Sequence, residues 1–336
     1  MNQRRKLLIA LGYSALVAPF ATLAQQPGTP AGKIWRIGYL SLASRAASAA
    51  PYAALVQRLR ELGYTEGGNL MIEARFADQD GARLPGLAEE LVRLKVDLIV
   101  AMANFATSAA KAATTTIPIV MPLTNDPVGN GYINSLARPG GNITGLADIS
   151  AELGPKRLEM LLAMTATKAP RVSRVAMLLP SDNPVARRFL AALQEGGLSV
   201  GVTIVPVYAL TLEALDQAFA TLREQKVTAL IVAPYPFSSQ QHNQIAQLAA
   251  QHRMPVAAPY AHFAEAGCLL SYGLDPLDNM RRAATFADKI FKGRKPADLP
   301  VEQPVKFELV INGKTAKALG LKIPQSLLIS ADRVIE

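Results

Sequence analysis

From Trp35 onward, short β-rich runs alternate with amphipathic helical stretches, and this alternation limits the fold more than any other feature of the chain. Strand patterns fall on residues 36–40, 70–76, 97–101, 119–123, 174–179, 203–207, 229–233, 256–258 and 269–272. Helical patterns fall between them, on 52–62, 83–94, 105–113, 158–163, 185–194, 212–225 and 240–251. Apolar residues in these recur three and four positions apart, so each helix has one face to bury. Strand, helix, strand in series requires a parallel sheet with helices on both faces. The predicted fold class is α/β.

The pattern also runs twice. Arg36-Ile-Gly-Tyr-Leu-Ser leads to a helix ending at Glu61-Leu62-Gly63, with a strand from Leu70. Arg174-Val-Ala-Met-Leu-Leu leads through Pro180-Ser-Asp-Asn-Pro184 to a helix expected to end at Gln194-Glu195-Gly196, with a strand from Thr203. A repeated βαβ unit predicts two doubly wound, Rossmann-like lobes, a division that suits 336 residues. Ala137-Arg-Pro-Gly-Gly-Asn-Ile-Thr-Gly145 reads as a turn-rich crossing between them, and 293–305, with three prolines, as a later connection. A strand at 307–311, a helix at 314–319 and a closing segment then need a lobe to dock on.

The first 24 residues read as an address. Met1 to Lys6 is basic, Leu7 to Leu23 is mostly apolar, and Thr22 and Ala24 supply small residues before a cut. That order is the pattern of a cleaved secretory signal. The run is short for a membrane span and Pro19 weakens its helix. Arg4-Arg5 leaves Sec and twin-arginine export both open. The expected location is the periplasm, with no membrane-spanning segment after processing.

Lys and Arg number 35 against 26 Asp and Glu, a +9 balance spread along the chain, so no dense basic run suggests nucleic acid. Cys268 is the single cysteine, which excludes an intramolecular disulfide and a multi-cysteine metal site. His242, His252 and His262 lack ligand spacing and read as surface or packing residues, and no metal is expected. Asn312-Gly-Lys-Thr315 lacks the earlier glycine of a phosphate loop, and Gly129-Asn-Gly131 fails as a dinucleotide fingerprint at Asn134. No nucleophile or acid–base constellation stands out, so neither an enzyme nor a cofactor is expected.

Several strings resemble a known family. They include Thr116-Ile-Pro-Ile-Val120, Asn125-Asp-Pro-Val-Gly129, Ser135-Leu-Ala-Arg-Pro-Gly-Gly-Asn-Ile-Thr-Gly145, Lys295-Pro-Ala-Asp-Leu-Pro300 and Lys306-Phe-Glu-Leu-Val-Ile-Asn312. The chain is similar in these to the periplasmic solute-binding components of ABC importers, in a group related to tryptophan-binding type I proteins. The resemblance implies a three-crossing hinge between the lobes. It places 33–145 with 274–300 in an N-terminal lobe, 146–273 with 301–323 in a C-terminal lobe, and leaves 324–336 as a closing segment. It also implies a monomer serving a permease and an ATPase in separate chains, with some relatives binding aromatic amino acids.

In parallel sheets, ligands sit beyond the carboxyl ends of strands, where helix N-termini offer free N–H groups. The candidates on that rule are Leu40, Ser41, Asn104, Thr124, Asn125 and Asp126 in the first lobe. Asp182, Asn183, Tyr235, Phe237 and Tyr260 are their counterparts in the second, with Tyr272 at a crossing. Asp126 suits an ammonium, Ser41 and Asn104 a carboxylate, and the aromatics an apolar side chain, which together suggest an amino acid, aromatic or branched. Asp126, Asn104 and Asn183 equally suit helix or turn caps, and Trp35 suits packing. A sugar, nucleoside or aromatic acid is the alternative ligand, and a sensory role feeding a membrane receptor the alternative function.

Overall fold

The computed structural model describes residues 32–150, 152–166, 172–304 and 306–336. The export signal expected in the first 24 residues lies outside them. The first sheet is built from β1 (Trp35–Ser41), α1 (Ala49–Glu61), β2 (Leu70–Phe76), α2 (Leu84–Arg93), β3 (Leu98–Ala101), α3 (Ala103–Ala113), β4 (Ile119–Asn125) and β5 (Ile143–Asp148). Its strands are all parallel, in the order β2-β1-β3-β4-β5.

The chain then leaves this sheet for a second. There follow α4 (Gly154–Thr165), β6 (Arg174–Leu179), α5 (Pro184–Ser199), β7 (Thr203–Tyr208), α6 (Leu212–Glu224) and β8 (Ala229–Val232). Next come α7 (Pro236–Gln240), α8 (His242–Gln251), β9 (Val256–Ala258), α9 (Ala261–Ala266) and β10 (Leu270–Gly273). α10 (Pro276–Phe291) returns to the first lobe, and β11 (Glu308–Asn312), α11 (Gly313–Ala318), α12 (Gln325–Ser330) and β12 (Arg333–Ile335) complete the second. The second sheet runs β12-β11-β10-β9-β8-β6-β7, so β7-β6-β8-β9-β10 repeats the order of the first sheet. β11 is antiparallel to β10, the one departure from parallel pairing among the described strands.

The buried strands show why sheets of this kind form. β3 is Leu-Ile-Val-Ala and β8 is Ala-Leu-Ile-Val, each buried at all four positions, the continuous apolar run of a strand covered on both sides. Each sheet accordingly has two apolar clusters, one per face. Ile37, Leu55, Val100 and Phe286 meet on one face of the first sheet; Leu40, Leu91, Ile99 and Ile143 meet on the other. Trp35 stacks on Phe291 of α10 with ring centroids 4.2 Å apart, a packing role.

Three segments differ from the sequence expectation. The stretch 137–145 is not the crossing: 143–145 open β5, and the chain leaves the first sheet only after Asp148. Gly145 is there because a Cβ at its φ of +135° would lie 2.3 Å from the Met121 carbonyl oxygen on β4. α5 does not stop at Gly196 but runs to Ser199, because Gly196 and Gly197 are sites of close approach rather than terminators. Added Cβ atoms there would meet Pro155 at 2.9 Å and the Val202 carbonyl at 2.6 Å. α10, to which the periodicity assigns no element, starts with Asp275 accepting from the Leu277 N–H and packs on α1 and β4.

Among the described residues no helix is long and apolar enough to cross a membrane. Gly145→Ala should cost about 1–3 kcal/mol, the scale of a residue forced into a disallowed backbone region. Denaturant unfolding should show the lowered midpoint, with the slope unchanged.

Candidate ligand-binding site

The carboxyl end of β4 carries the first half of the site. β4 contains Pro122, and its register against β5 shifts between Met121 and Thr124. The Asn279 amide on α10 donates to the Pro122 carbonyl at 3.0 Å and fastens the irregular strand from behind. Asn104, in the first turn of α3, grips the strand end like another strand. Its Nδ2 donates to the Asn125 carbonyl at 2.8 Å, and its Oδ1 accepts from the Asn125 N–H at 2.9 Å. The Asn125 amide in turn donates to the Asp148 carbonyl at 3.1 Å, joining the ends of β4 and β5. Ala103 and Asp126, at the ends of β3 and β4, hold φ of +60° and +45°, a conformation unusual for non-glycine residues and frequent at binding sites.

Asp126 is engaged on both oxygens. Oδ1 accepts from the Gly129 N–H at 2.8 Å, and Oδ2 takes a short bond from Arg188 of α5, across the gap between lobes. The side chains of this pair are 40% and 42% exposed. A second bridge joins Gln79 of the first lobe to Gln240 of the second at 3.2 Å.

The hinge holds a buried polar cluster. Arg157 of α4 is 1% exposed. Its Nε donates to the Tyr272 carbonyl at 2.7 Å and its Nη1 to the Ser150 carbonyl at 3.2 Å, tying the first crossing to the second. Its Nη2 has no hydrogen-bond partner among the described residues. Burial lowers the Arg157 guanidinium to about 10, opposed by the nearby Tyr260, Asp148 and Tyr272. Asp148, 8% exposed, accepts from the Ser150 N–H at 2.7 Å and from the Ser150 hydroxyl, both on Oδ1. Burial pushes its carboxyl above the usual range, against the Ser150 hydrogen bonds and the positive charge of Arg157. Burial also pushes the Tyr260 hydroxyl up, helped by the charge on Asp148.

A cavity of about 300 Å³ opens beside this cluster. The first lobe contributes Asn125, Asp126, Pro127, Val128, Leu136, Ala147 and Asp148; the first crossing gives Ile149 and Glu152; α5 gives Arg188 and Ala192; and Gln303 comes from the third crossing. Its volume is at the lower end of ligand pockets. Three carboxylates and one guanidinium face it, and Arg188 is already paired with Asp126.

The other sequence candidates lie elsewhere. Leu40 packs in an apolar cluster of the first lobe, and the Ser41 hydroxyl meets the Ala43 N–H at 3.1 Å and Ser48 at 3.2 Å. Thr124 is buried against Thr107 at 3.1 Å. Asn183 caps α5 by accepting from Ala186 at 2.9 Å, and Asp182 pairs with Arg187 at 3.0 Å. Tyr235 and Phe237 line a separate space of about 10 Å³ with Leu178 and Pro180, so the structure does not bring them to the larger cavity. Tyr260 joins the hinge cluster, and Tyr272 offers its carbonyl to Arg157 and its ring to Phe307. Asp148, Glu152, Arg157 and Arg188 were missed by the sequence reading. The strand-end rule that picks out Ser41 also picks out Asp148, once 143–148 is recognised as a strand.

Comparison with known proteins fits this two-lobed architecture. The family described as ABC transporter substrate binding protein matches residues 37–335, and the chain belongs to it. A tyrosine-binding protein of Clostridioides difficile is 25% identical over 279 residues, covering 83% of this chain and 77% of that one. A domain from Streptococcus pneumonia solved in complex with L-Trp is 25% identical, with a TM-score of 0.80 over 90% of this chain and 100% of the other. A conserved domain protein from Vibrio cholerae, also 25% identical, gives 0.82 over 90% of this chain and 100% of its own. A ligand-free, open substrate-binding protein from Clostridium difficile, 24% identical, gives 0.65 over 90% and 99%. The family is described by substrate binding, and of these relatives one is named for tyrosine, one was solved with L-Trp and one is described as a substrate-binding protein.

Two outcomes follow from the geometry. Because burial favours the neutral Asp148 carboxyl, the folded protein holds a proton that the unfolded chain releases at lower pH. The stability linked to this group is therefore greatest below the ordinary carboxylate range and falls as pH rises through the raised value. Asp148→Asn, which keeps an oxygen for the Ser150 donors, should raise the unfolding midpoint at pH 7, with the gain fading on acidification. A double-mutant cycle of Asp126→Ala and Arg188→Ala should give a coupling of about 0.2–1 kcal/mol, as solvent-screened pairs do.

Proposed function

We propose that this protein is the exported solute-binding component of an ABC importer, and that it captures an amino acid with an aromatic or branched side chain between its two lobes. The observation that carries the reading is the cavity of about 300 Å³ at the lobe junction, bounded by both lobes and by two hinge crossings. A ligand there touches both lobes at once, so its binding energy favours the closed arrangement over the open one. Among the lining residues, Pro127, Val128, Leu136 and Ile149 suit a hydrophobic side chain, and Asn125, Asp148 and Glu152 suit a charged head.

Membership of the substrate-binding family supports the importer role, with the permease and ATPase in other chains and the N-terminal pattern of the sequence directing export. Relatives named for tyrosine and solved with L-Trp support an aromatic amino acid. The protein binds its solute without transforming it.

Protein unfolded and refolded to strip bound solute should gain thermal stability with L-tyrosine or L-tryptophan. A ligand at about 100 times its Kd adds ~2.7 kcal/mol. A shift produced only by sugars or nucleosides would replace the amino acid in this reading.

A further inference from the structure

We propose that Asp148, and not Asp126, is the anchor for the ligand's ammonium group; this rests on the amino-acid reading above and assigns the recognition of its charged head. The two acids line the same cavity and differ in what already holds them. Asp126 spends one oxygen on the Gly129 N–H and the other on the Arg188 guanidinium. An ammonium there would have to displace a charge that α5 supplies.

Asp148 is placed differently. Ser150 occupies only Oδ1, and no described residue donates to Oδ2. No ion pair joins it to Arg157, whose Nε and Nη1 are committed to the carbonyls of Tyr272 and Ser150. Arg157 is thus a positioning residue: it ties the crossing that begins directly after Asp148 to the second crossing, and its charge biases the carboxyl toward its ionised form. The charged groups around Asp148 are Arg157 from α4 and Glu152 from the crossing, with the Tyr260 hydroxyl on the second lobe. With Asp126 and Arg188 cancelling, the cavity lining keeps two further carboxylates, Asp148 and Glu152, and Arg157 acts on Asp148 through its charge without a hydrogen bond to it. A buried carboxylate with no hydrogen-bonded cation of its own has an oxygen to offer one in the ligand.

The chemistry this selects is a primary ammonium next to an apolar group. Ligands lacking the amine, or carrying a second anionic group at that end, are disfavoured by the same carboxylates. Burying the Asp148 carboxyl beside the cavity is the source of the stability penalty predicted above, a trade common at binding sites.

The test is calorimetric titration of the refolded full-length protein and of Asp148→Asn and Asp126→Asn variants. The probes are L-tyrosine with tyramine and 3-(4-hydroxyphenyl)propionate, and L-tryptophan with tryptamine and indole-3-propionate. Asp148→Asn should weaken the amino acid and the amine at least tenfold while leaving the deaminated acid unchanged or tighter, with the fold intact by its unfolding midpoint. Equal losses for amino acid and deaminated acid would reduce Asp148 to a structural part and overturn the proposal. So would an amine-selective loss that appears in Asp126→Asn instead. If the wild-type protein binds the deaminated acids but none of the amines, Asp148 is not an ammonium anchor although a ligand site exists. If it binds none of the six probes, the amino-acid reading falls and this assignment falls with it.

Discussion

A guanidinium buried where the chain passes between lobes organises this molecule. Arg157 has almost no exposure, and a buried charge is tolerated only where polar groups surround it. The groups that do so are carbonyls of two different crossings, Ser150 after β5 and Tyr272 at the end of β10. Two segments more than a hundred residues apart in the chain are thereby held side by side. Gly273 shares in this arrangement, since a Cβ there would stand 3.4 Å from the Arg157 Nη2 and 2.0 Å from the Pro259 carbonyl. The third crossing joins the same neighbourhood: Glu302 exchanges backbone hydrogen bonds with Gly145 and Ala147 on β5.

Each lobe, by contrast, is self-sufficient. Its sheet is buried on both faces, and its apolar clusters are made within the lobe. Among the described residues, the side-chain hydrogen bonds that join the lobes outside the crossings are the half-exposed Asp126–Arg188 pair and the Gln79–Gln240 contact. Such contacts are weak in water, so they can form and break as lobes move while the hinge cluster stays together. Under the proposed function, a ligand in the cavity would add its own contacts to that small balance, so that modest binding energy would favour one arrangement of the lobes.

The legibility of the sequence followed from how local each signal was. β6 and β9 fall on the expected residues because their apolar runs are short and end at Pro180 and Pro259. α10 was invisible to the same reasoning although Asp275 and Pro276 mark its start. Its buried face includes Asn279 and Asp288, polar residues satisfied by Pro122 of β4 and by Tyr64 and Lys292. β5 was hidden by its glycine, which looks like a turn signal and in fact makes room for the neighbouring strand. At the site, Asn125 and Asp126 were found by the strand-end rule and do line the cavity. Tyr235 and Phe237 obey the same rule and yet face a different space, because the rule gives the end of the strand and not the direction of the side chain.

The sequence by itself determined two parallel α/β lobes, since apolar periodicity and repeat order depend only on neighbours along the chain. It also determined which strand ends could bear polar groups. The tertiary structure alone decided which of those groups remain available. Asp126 and Asp148 are both acids at strand ends, but one meets a guanidinium from α5 and the other is buried beside a guanidinium already committed to backbone carbonyls. A carboxylate's reactivity toward a ligand depends on its dielectric surroundings and its partners in space, and those are set by residues that the chain brings from far away.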